Sequence, residues 1–200
     1  MKKILKHFKK NDPVLYSYFL KIGKLEPIKK DTPGNYFSRL CREIIGQQLS
    51  DKSSEAILLR FTKLFSNRRA RPSDVISLPH KTLRATGMSH AKARYVRNLA
   101  EAIVGGDLSV IRLATLKDEE VVKELVKVKG IGPWTSEMFL MFVLGREDVF
   151  SHGDLGLRKG IKKIYGFKKD PTKKQIENII SRWSPYKTYA SRVLWQSLEV

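Results

Sequence analysis

The chain reads as all-α, and three observations carry that reading. Apolar residues recur at helical spacing behind recognisable start signals. Alternation of apolar and polar residues never persists beyond a few positions. A glycine-rich break, Gly130-Ile131-Gly132-Pro133, separates two helical patterns. The expected architecture is a compact bundle of about ten helices with short loops, arranged as two helical lobes around a cleft. The 200 residues, 42% of them hydrophobic, suffice for one substantial core or two small lobes. One domain is expected over 1–200, with no separate N-terminal β domain and no solenoid repeat.

The elements follow in order. Asp12-Pro13 opens a helix over Val14 to Ile22, the carboxylate accepting an orphan N–H while the ring fixes φ for the first turn. Phe37, Leu40, Cys41, Ile44 and Ile45 share a helix face, which makes Cys41 a core residue. Ser50 precedes a helix over Ala56 to Phe65, and Ser73 one over Val75 to Leu78. Val121, Val122, Leu125 and Val128 lead into the glycine break, and Trp134, Met138, Leu140, Met141 and Leu144 follow it. This predicts two helices joined by a tight hairpin over about 119–144. Asp170-Pro171 announces a helix over Ile176 to Ile180, and Ser184-Pro185 one over Tyr189 to Trp195.

The hairpin has a chemistry of its own. Gly130 and Gly132 lack Cβ atoms, so the backbone can turn sharply and bring its N–H groups to a phosphate oxygen, aided by the positive end of the helix that starts near Pro133. Such a contact grips any sequence equally, and an ordinary helix-to-helix turn would use the same glycines. Composition favours the polyanion: 39 Lys and Arg against 20 Asp and Glu give a formal net charge of +19 and a pI near 10.1. A membrane surface would attract the same charge, but no run approaches the ~20 apolar residues of a spanning helix. The basic start, MKKILKHFKKNDP, is too short in apolar residues for a secretory signal. One cysteine excludes intrachain disulfides, zinc clusters and cysteine-bound iron–sulfur centres. A reducing location is expected: the cytoplasm and nucleoid of a bacterium, or the nucleus of a eukaryote.

The stretch GIGPWTSEMFLMFVLGREDVFSHGDLGLRKG resembles the core of the helix-hairpin-helix DNA glycosylases of the HhH-GPD superfamily, specifically the 3-methyladenine DNA glycosylase II (AlkA) type. FSRLCREIIGQQLSDKSSEAIL at 37–58 and GMSHAKARYVRNLAEAI from 87 are similar to two further family segments, in the family's order. Together they span about Asn35 to Gln196. The resemblance implies an all-helical glycosylase that excises alkylated purines, of the 3-methyladenine and 7-methylguanine type, from damaged duplex DNA in base excision repair.

The family's catalytic aspartate lies downstream of the hairpin, at the start of the next helix, and Asp154 matches that place. Cleaving an N-glycosidic bond builds positive charge on the deoxyribose. A carboxylate in a poorly solvated pocket stabilises that cation and orients or deprotonates the attacking water. Asp154 also fits as N-cap of the helix through Leu157 and Ile161, and the two roles coexist. Asp148 is read as a turn former or cap. Position 134 bears on reaction class: bifunctional relatives of the endonuclease III type carry a Schiff-base lysine immediately after GxGx, and an indole cannot form an imine. No AP lyase activity is therefore expected. Lys127 and Lys129 are read as phosphate-facing charges.

The family also suggests a pocket and a wedge. Trp134 and Trp195 are the resemblance-guided candidates for stacking on a cationic base, an attraction of about 0.5–2 kcal/mol, with Met138 and Leu155 in places where some members have aromatics. Trp183, Tyr186 and Tyr189 could be pocket or core. A flipped base leaves a gap that residues of the turn Gln47, Gln48 and Leu49 would fill from the minor groove. Gln48 or Leu49 is the candidate wedge, although Leu49 also fits a core position and Ser50 an N-cap. Lys129, Gly130, Ile131 and Gly132 complete the expected DNA contacts. His152 is read as solvent-exposed, with a supporting role beside Asp154 as the alternative. No cofactor is expected apart from a structural Na+ or K+ on the carbonyls of Val126, Val128 and Gly130. A monomer is the default, since no heptad seam is present. Two other readings stay open: a glycosylase for deaminated or mismatched bases, and a non-catalytic DNA-binding module in which Asp154 only caps its helix.

Overall fold

The computed structural model describes residues 1–23 and 25–199, with only the backbone of Asp51. Among these residues there are twelve α-helices and no strand. They are α1 (Lys2–Asn11), α2 (Pro13–Ile22), α3 (Tyr36–Gly46), α4 (Asp51–Thr62), α5 (Pro72–Ser77), α6 (His80–Ala85), α7 (His90–Val104), α8 (Asp118–Val126), α9 (Pro133–Phe142), α10 (Leu155–Ile164), α11 (Lys173–Ile180) and α12 (Lys187–Ser197). The all-α expectation is met. The helices exceed the expected ten, partly because residues 72–85 form two six-residue helices parted at Leu78-Pro79. None of the described helices is long and apolar enough to cross a membrane. The chain divides into two compact units, residues 1–30 with 145–200, and residues 31–144.

In the first unit α1, α2, α10, α11 and α12 surround a core built on Phe8, Leu15, Phe19, Ile161, Trp183 and Leu194. Phe8 and Phe19 stack with ring centroids 4.9 Å apart. Asp12 caps α2 as its sequence position predicts, accepting Leu15 N at 3.0 Å. It also reaches across the core, accepting Tyr165 OH at 2.6 Å and Trp183 Nε1 at 2.9 Å. These bonds are what make a fully buried carboxylate tolerable. Trp183 and Tyr189 are core residues, each at most 2% exposed. On α10, Gly160 lets α12 approach so closely that a Cβ there would lie 2.8 Å from Leu194 Cβ and 2.9 Å from Leu194 O.

In the second unit α3 lies against α7 and α9, α5 against α7, and α8 against α9. The apolar face read from the sequence, Phe37, Leu40, Cys41, Ile44 and Ile45, is buried throughout. Tyr36 meets Phe139 edge to face at 5.6 Å. Burial pushes the Cys41 thiol far above its ordinary range, as suits an inert core residue.

Three start signals are displaced. α5 begins at Pro72, so Ser73 lies inside its first turn and Arg71 occupies the cap position. α11 is capped by Thr172 in a capping box with Gln175, while Asp170 pairs with Lys162 Nζ at 2.8 Å. Ser184 lies three residues before α12 and bonds Asp148 instead. Asp148 acts as the expected cap through space, accepting Lys187 N at 3.3 Å.

Candidate active site

The catalytic candidate lies in the first unit. Asp154 is 9% exposed at the N-cap of α10, where Oδ1 accepts Leu157 N at 2.7 Å. The same oxygen accepts Trp195 Nε1 at 3.1 Å from α12. Gly156 makes room for this arrangement, since a Cβ there would lie 3.0 Å from both Asp154 Oδ1 and Trp195 Cδ1. Capping and candidate chemistry are one geometry: the helix end and the indole fix the carboxylate, and the helix dipole favours its negative charge. Leu155, one residue on, turns outward and is 69% exposed. His152 is exposed, 3.5 Å from Glu177 Oε1 and edge-on to Phe150, as the solvent-facing reading expects.

The second unit holds the hairpin and the turn. α8 ends at Val126 and α9 starts at Pro133, so the helix-hairpin-helix spans Asp118 to Phe142. Gly130 takes φ +110°, and a Cβ there would lie 2.1 Å from Tyr95 Cγ. Gly132 has φ −104° and ψ 178°, with nothing within 4 Å of where its Cβ would stand. Only the first glycine is therefore demanded by the turn. Ile131 is buried and its N–H donates to Val128 O at 3.0 Å. Lys129 is exposed, its carbonyl held by Asn98 Nδ2 at 3.1 Å. Lys127 pairs with Glu124 at 2.7 Å, which partly spends the charge expected to face phosphate. Trp134, half-buried, and Met138, 4% exposed, stand four apart on α9 and so share a helix face.

Gln47 ties the turn to the hairpin: its Nε2 donates to Gly130 O at 3.1 Å and to Thr135 Oγ1 at 3.0 Å. Gln48 follows with φ +57°, a left-handed backbone unusual for a residue with a side chain. Gln48 and Leu49 are exposed, Leu49 at 38%, which sets aside the core alternative for Leu49. Ser50 caps α4 through Ser53 N at 3.4 Å. Two residues here escaped the sequence reading. Thr135 is buried beneath the turn, and Lys92 on α7 donates from Nζ to Ile45 O at 2.8 Å and Gln47 O at 2.6 Å. Burial holds the Lys92 pKa below the usual lysine range. A lysine in an amphipathic helix carries no local mark of such a role.

Of the carbonyls expected to hold a cation, Val128 O and Gly130 O each accept one protein hydrogen bond. A carbonyl has two lone pairs, so both retain capacity, and a set of neutral oxygens suits a hard monovalent ion. Among the described residues no group of three or more His, Cys, Asp or Glu side chains is placed to bind a metal.

Comparison with known proteins bears on the family of the chain. Residues 41–185 match the model of the HhH-GPD superfamily base excision DNA repair protein. YfjP of Bacillus subtilis is 35% identical over 162 residues, covering 78% of this chain and 56% of its own length, so the chain spans about half of that relative. DNA-3-methyladenine glycosylase 1 of Schizosaccharomyces pombe is 31% identical over 178 residues, 88% of this chain and 78% of that protein. The structure of Schizosaccharomyces pombe 3-methyladenine DNA glycosylase Mag1 in complex with abasic DNA superposes with a TM-score of 0.90 at 28% identity, covering 99% of this chain and 97% of that one. With the hairpin, the QQLS turn and the capped aspartate all inside or beside the matched span, the chain belongs to the HhH-GPD superfamily of base excision DNA repair proteins.

Proposed function

We propose that the chain is a monofunctional DNA glycosylase that removes alkylated purines, of the 3-methyladenine and 7-methylguanine type, from duplex DNA, acting as a monomer inside the cell. The observation that carries this reading is the buried carboxylate of Asp154, fixed by Leu157 N and Trp195 Nε1. A methylated purine is cationic, so breaking the C1′–N bond gives its electron pair to a base that leaves neutral. The sugar is left with the positive charge, which Asp154 offsets electrostatically. A water oxygen then bonds to C1′ and passes its proton to the carboxylate. Trp134 stands where a lyase would need an amine, so the product is an unbroken abasic strand.

Duplex binding falls to the hairpin around Lys129 to Gly132 and to the basic surface. The 86 residues of the first unit carry 21 Lys and Arg against 8 Asp and Glu, an excess suited to phosphate. A Na+ or K+ on the carbonyls of Val126, Val128 and Gly130 would add positive charge to this grip; replacing the ion without effect on DNA affinity removes it from the account.

The deciding experiment measures free bases released from methylated duplex DNA by wild type and Asp154→Asn, with strand nicks scored before and after alkali. Release by wild type alone, with nicks only after alkali, is the expected outcome. Tight duplex binding without release from a panel of lesions would replace the enzyme with a binding module, and preference for a neutral deaminated base would replace the substrate class.

A further inference from the structure

The turn after α3 is held in an unfavourable backbone shape by contacts from two other elements. Gln48 sits at φ +57°, a left-handed backbone that is unfavourable for a residue with a Cβ. Something must compensate for it, because exposed residues in such a conformation persist only where their surroundings over-determine them. On one side the Gln47 side chain is anchored to Gly130 O and Thr135 Oγ1. On the other, Lys92 Nζ spans Ile45 O and Gln47 O, the carbonyls at the C-terminal end of α3 that the helix itself leaves without partners. An ammonium there also meets the negative end of the helix dipole. Leu49 N closes the turn on Gly46 O at 3.1 Å. The result is a pair of exposed side chains, Gln48 and Leu49, presented on a backbone clamped from behind.

We propose that Lys92 is a positioning residue for base eversion: by clamping the carbonyls of Ile45 and Gln47 it holds the 47–49 turn ready to enter the space a displaced base leaves. This rests on the reading of the chain as a base-excising glycosylase with that turn as its wedge. The physical reason is preorganisation. A wedge that is already in shape spends no binding energy on ordering itself, so more of that energy goes into unstacking the duplex. Lys92 touches neither the sugar nor the base in this account, and its effect appears only when a stacked base must be displaced.

The test uses the full chain with Lys92→Met, which keeps the stem and removes the donors, and Lys92→Arg, which keeps a cationic donor. The first readout is the ratio of alkylated-base release from duplex to release from single-stranded DNA of the same sequence, where no partner base need be separated. The second is the fluorescence rise of a 2-aminopurine placed beside an abasic site in duplex DNA, which needs no chemistry. The expected result is a fall of about tenfold in the duplex-to-single-strand ratio for Lys92→Met, a smaller fluorescence rise at saturating protein, and substantial recovery of both in Lys92→Arg. An unchanged ratio with an unchanged fluorescence rise overturns the proposal, as does equal loss on both substrates, which would mark a general structural role. If wild type releases no alkylated base from either substrate, the functional reading fails and the fluorescence alone judges Lys92: a signal lost in Lys92→Met and restored in Lys92→Arg sustains its role, and a retained one ends it.

Discussion

Trp195 Nε1 and Leu157 N converge on a single oxygen of Asp154, at 3.1 and 2.7 Å. The tryptophan expected to lie under a base is thus also a hydrogen-bond partner of the carboxylate proposed as catalytic. Removing the indole N–H while keeping an aromatic face, as in Trp195→Phe, separates the two roles. A hydrogen bond to a charged group is worth about 1.5–3 kcal/mol, which predicts a fall in kcat of about tenfold or more with the single-turnover rate as the readout. Loss of affinity for methylated duplex with kcat intact would instead assign Trp195 to the base alone.

Gly130 and Gly132 should respond differently to the same change. Gly130→Ala must move the Tyr95 ring and hold alanine at φ +110°, so a destabilisation of about 2 kcal/mol or more is expected in denaturant unfolding. Gly132→Ala has open space and an ordinary extended backbone, so the melting temperature should stay close to wild type. If its bare backbone is there to approach a phosphate, duplex affinity falls all the same. Equal loss of stability in both variants would contradict the geometry.

How much was legible beforehand follows from the range of each interaction. The all-helical class, the hairpin, the caps at Asp12, Ser50 and Asp154 and the burial of Cys41 were readable, because caps and periodicity act over a few residues. What escaped is what distant segments do to one another. Asp12 reads as a cap, yet its second oxygen serves Tyr165 and Trp183, more than 150 residues away. Asp170 and Ser184 have the right residue type for a cap and bond Lys162 and Asp148 instead. Lys92, 45 residues from Gln47, looks like any lysine on a helix. Gly130 and Gly132 read alike in the sequence, yet of the two only Gly130 takes a positive φ.

The buried Asp12 network makes the first unit sensitive at a position far in sequence from Asp154. Asp12→Ala strips the Trp183 indole, fully buried, of its acceptor and removes the α2 cap together. A buried donor left without its acceptor costs about 1–3 kcal/mol and a lost cap about 0.5–2 kcal/mol, so the two together cost about 2–5 kcal/mol. A drop of that order in unfolding free energy is expected by urea titration, and a change below about 1 kcal/mol would show that water replaces the carboxylate easily.

Glu43 gives stability a pH dependence of defined sign. Half-buried on α3, its carboxyl is pushed above the ordinary glutamate value of 4.5 by desolvation, with Arg39 and Arg42 pulling the other way. Neither arginine is dedicated to it: Arg39 lies 3.4 Å from Asp31 and bonds Phe142 O, and Arg42 pairs with Glu55. Because the folded state holds this proton more tightly than the unfolded chain, its contribution is fully present below pH 4.5 and is lost as pH rises through the elevated folded value. Ionised Glu43 is therefore a cost at neutral pH, and Glu43→Gln, which keeps the shape without the charge, should raise the melting temperature there. The gain over wild type should shrink steadily as pH is lowered toward 4.5. Melting curves of the two proteins across that range test it, and a difference that does not change with pH would mean that Arg39 and Arg42 neutralise the carboxylate after all.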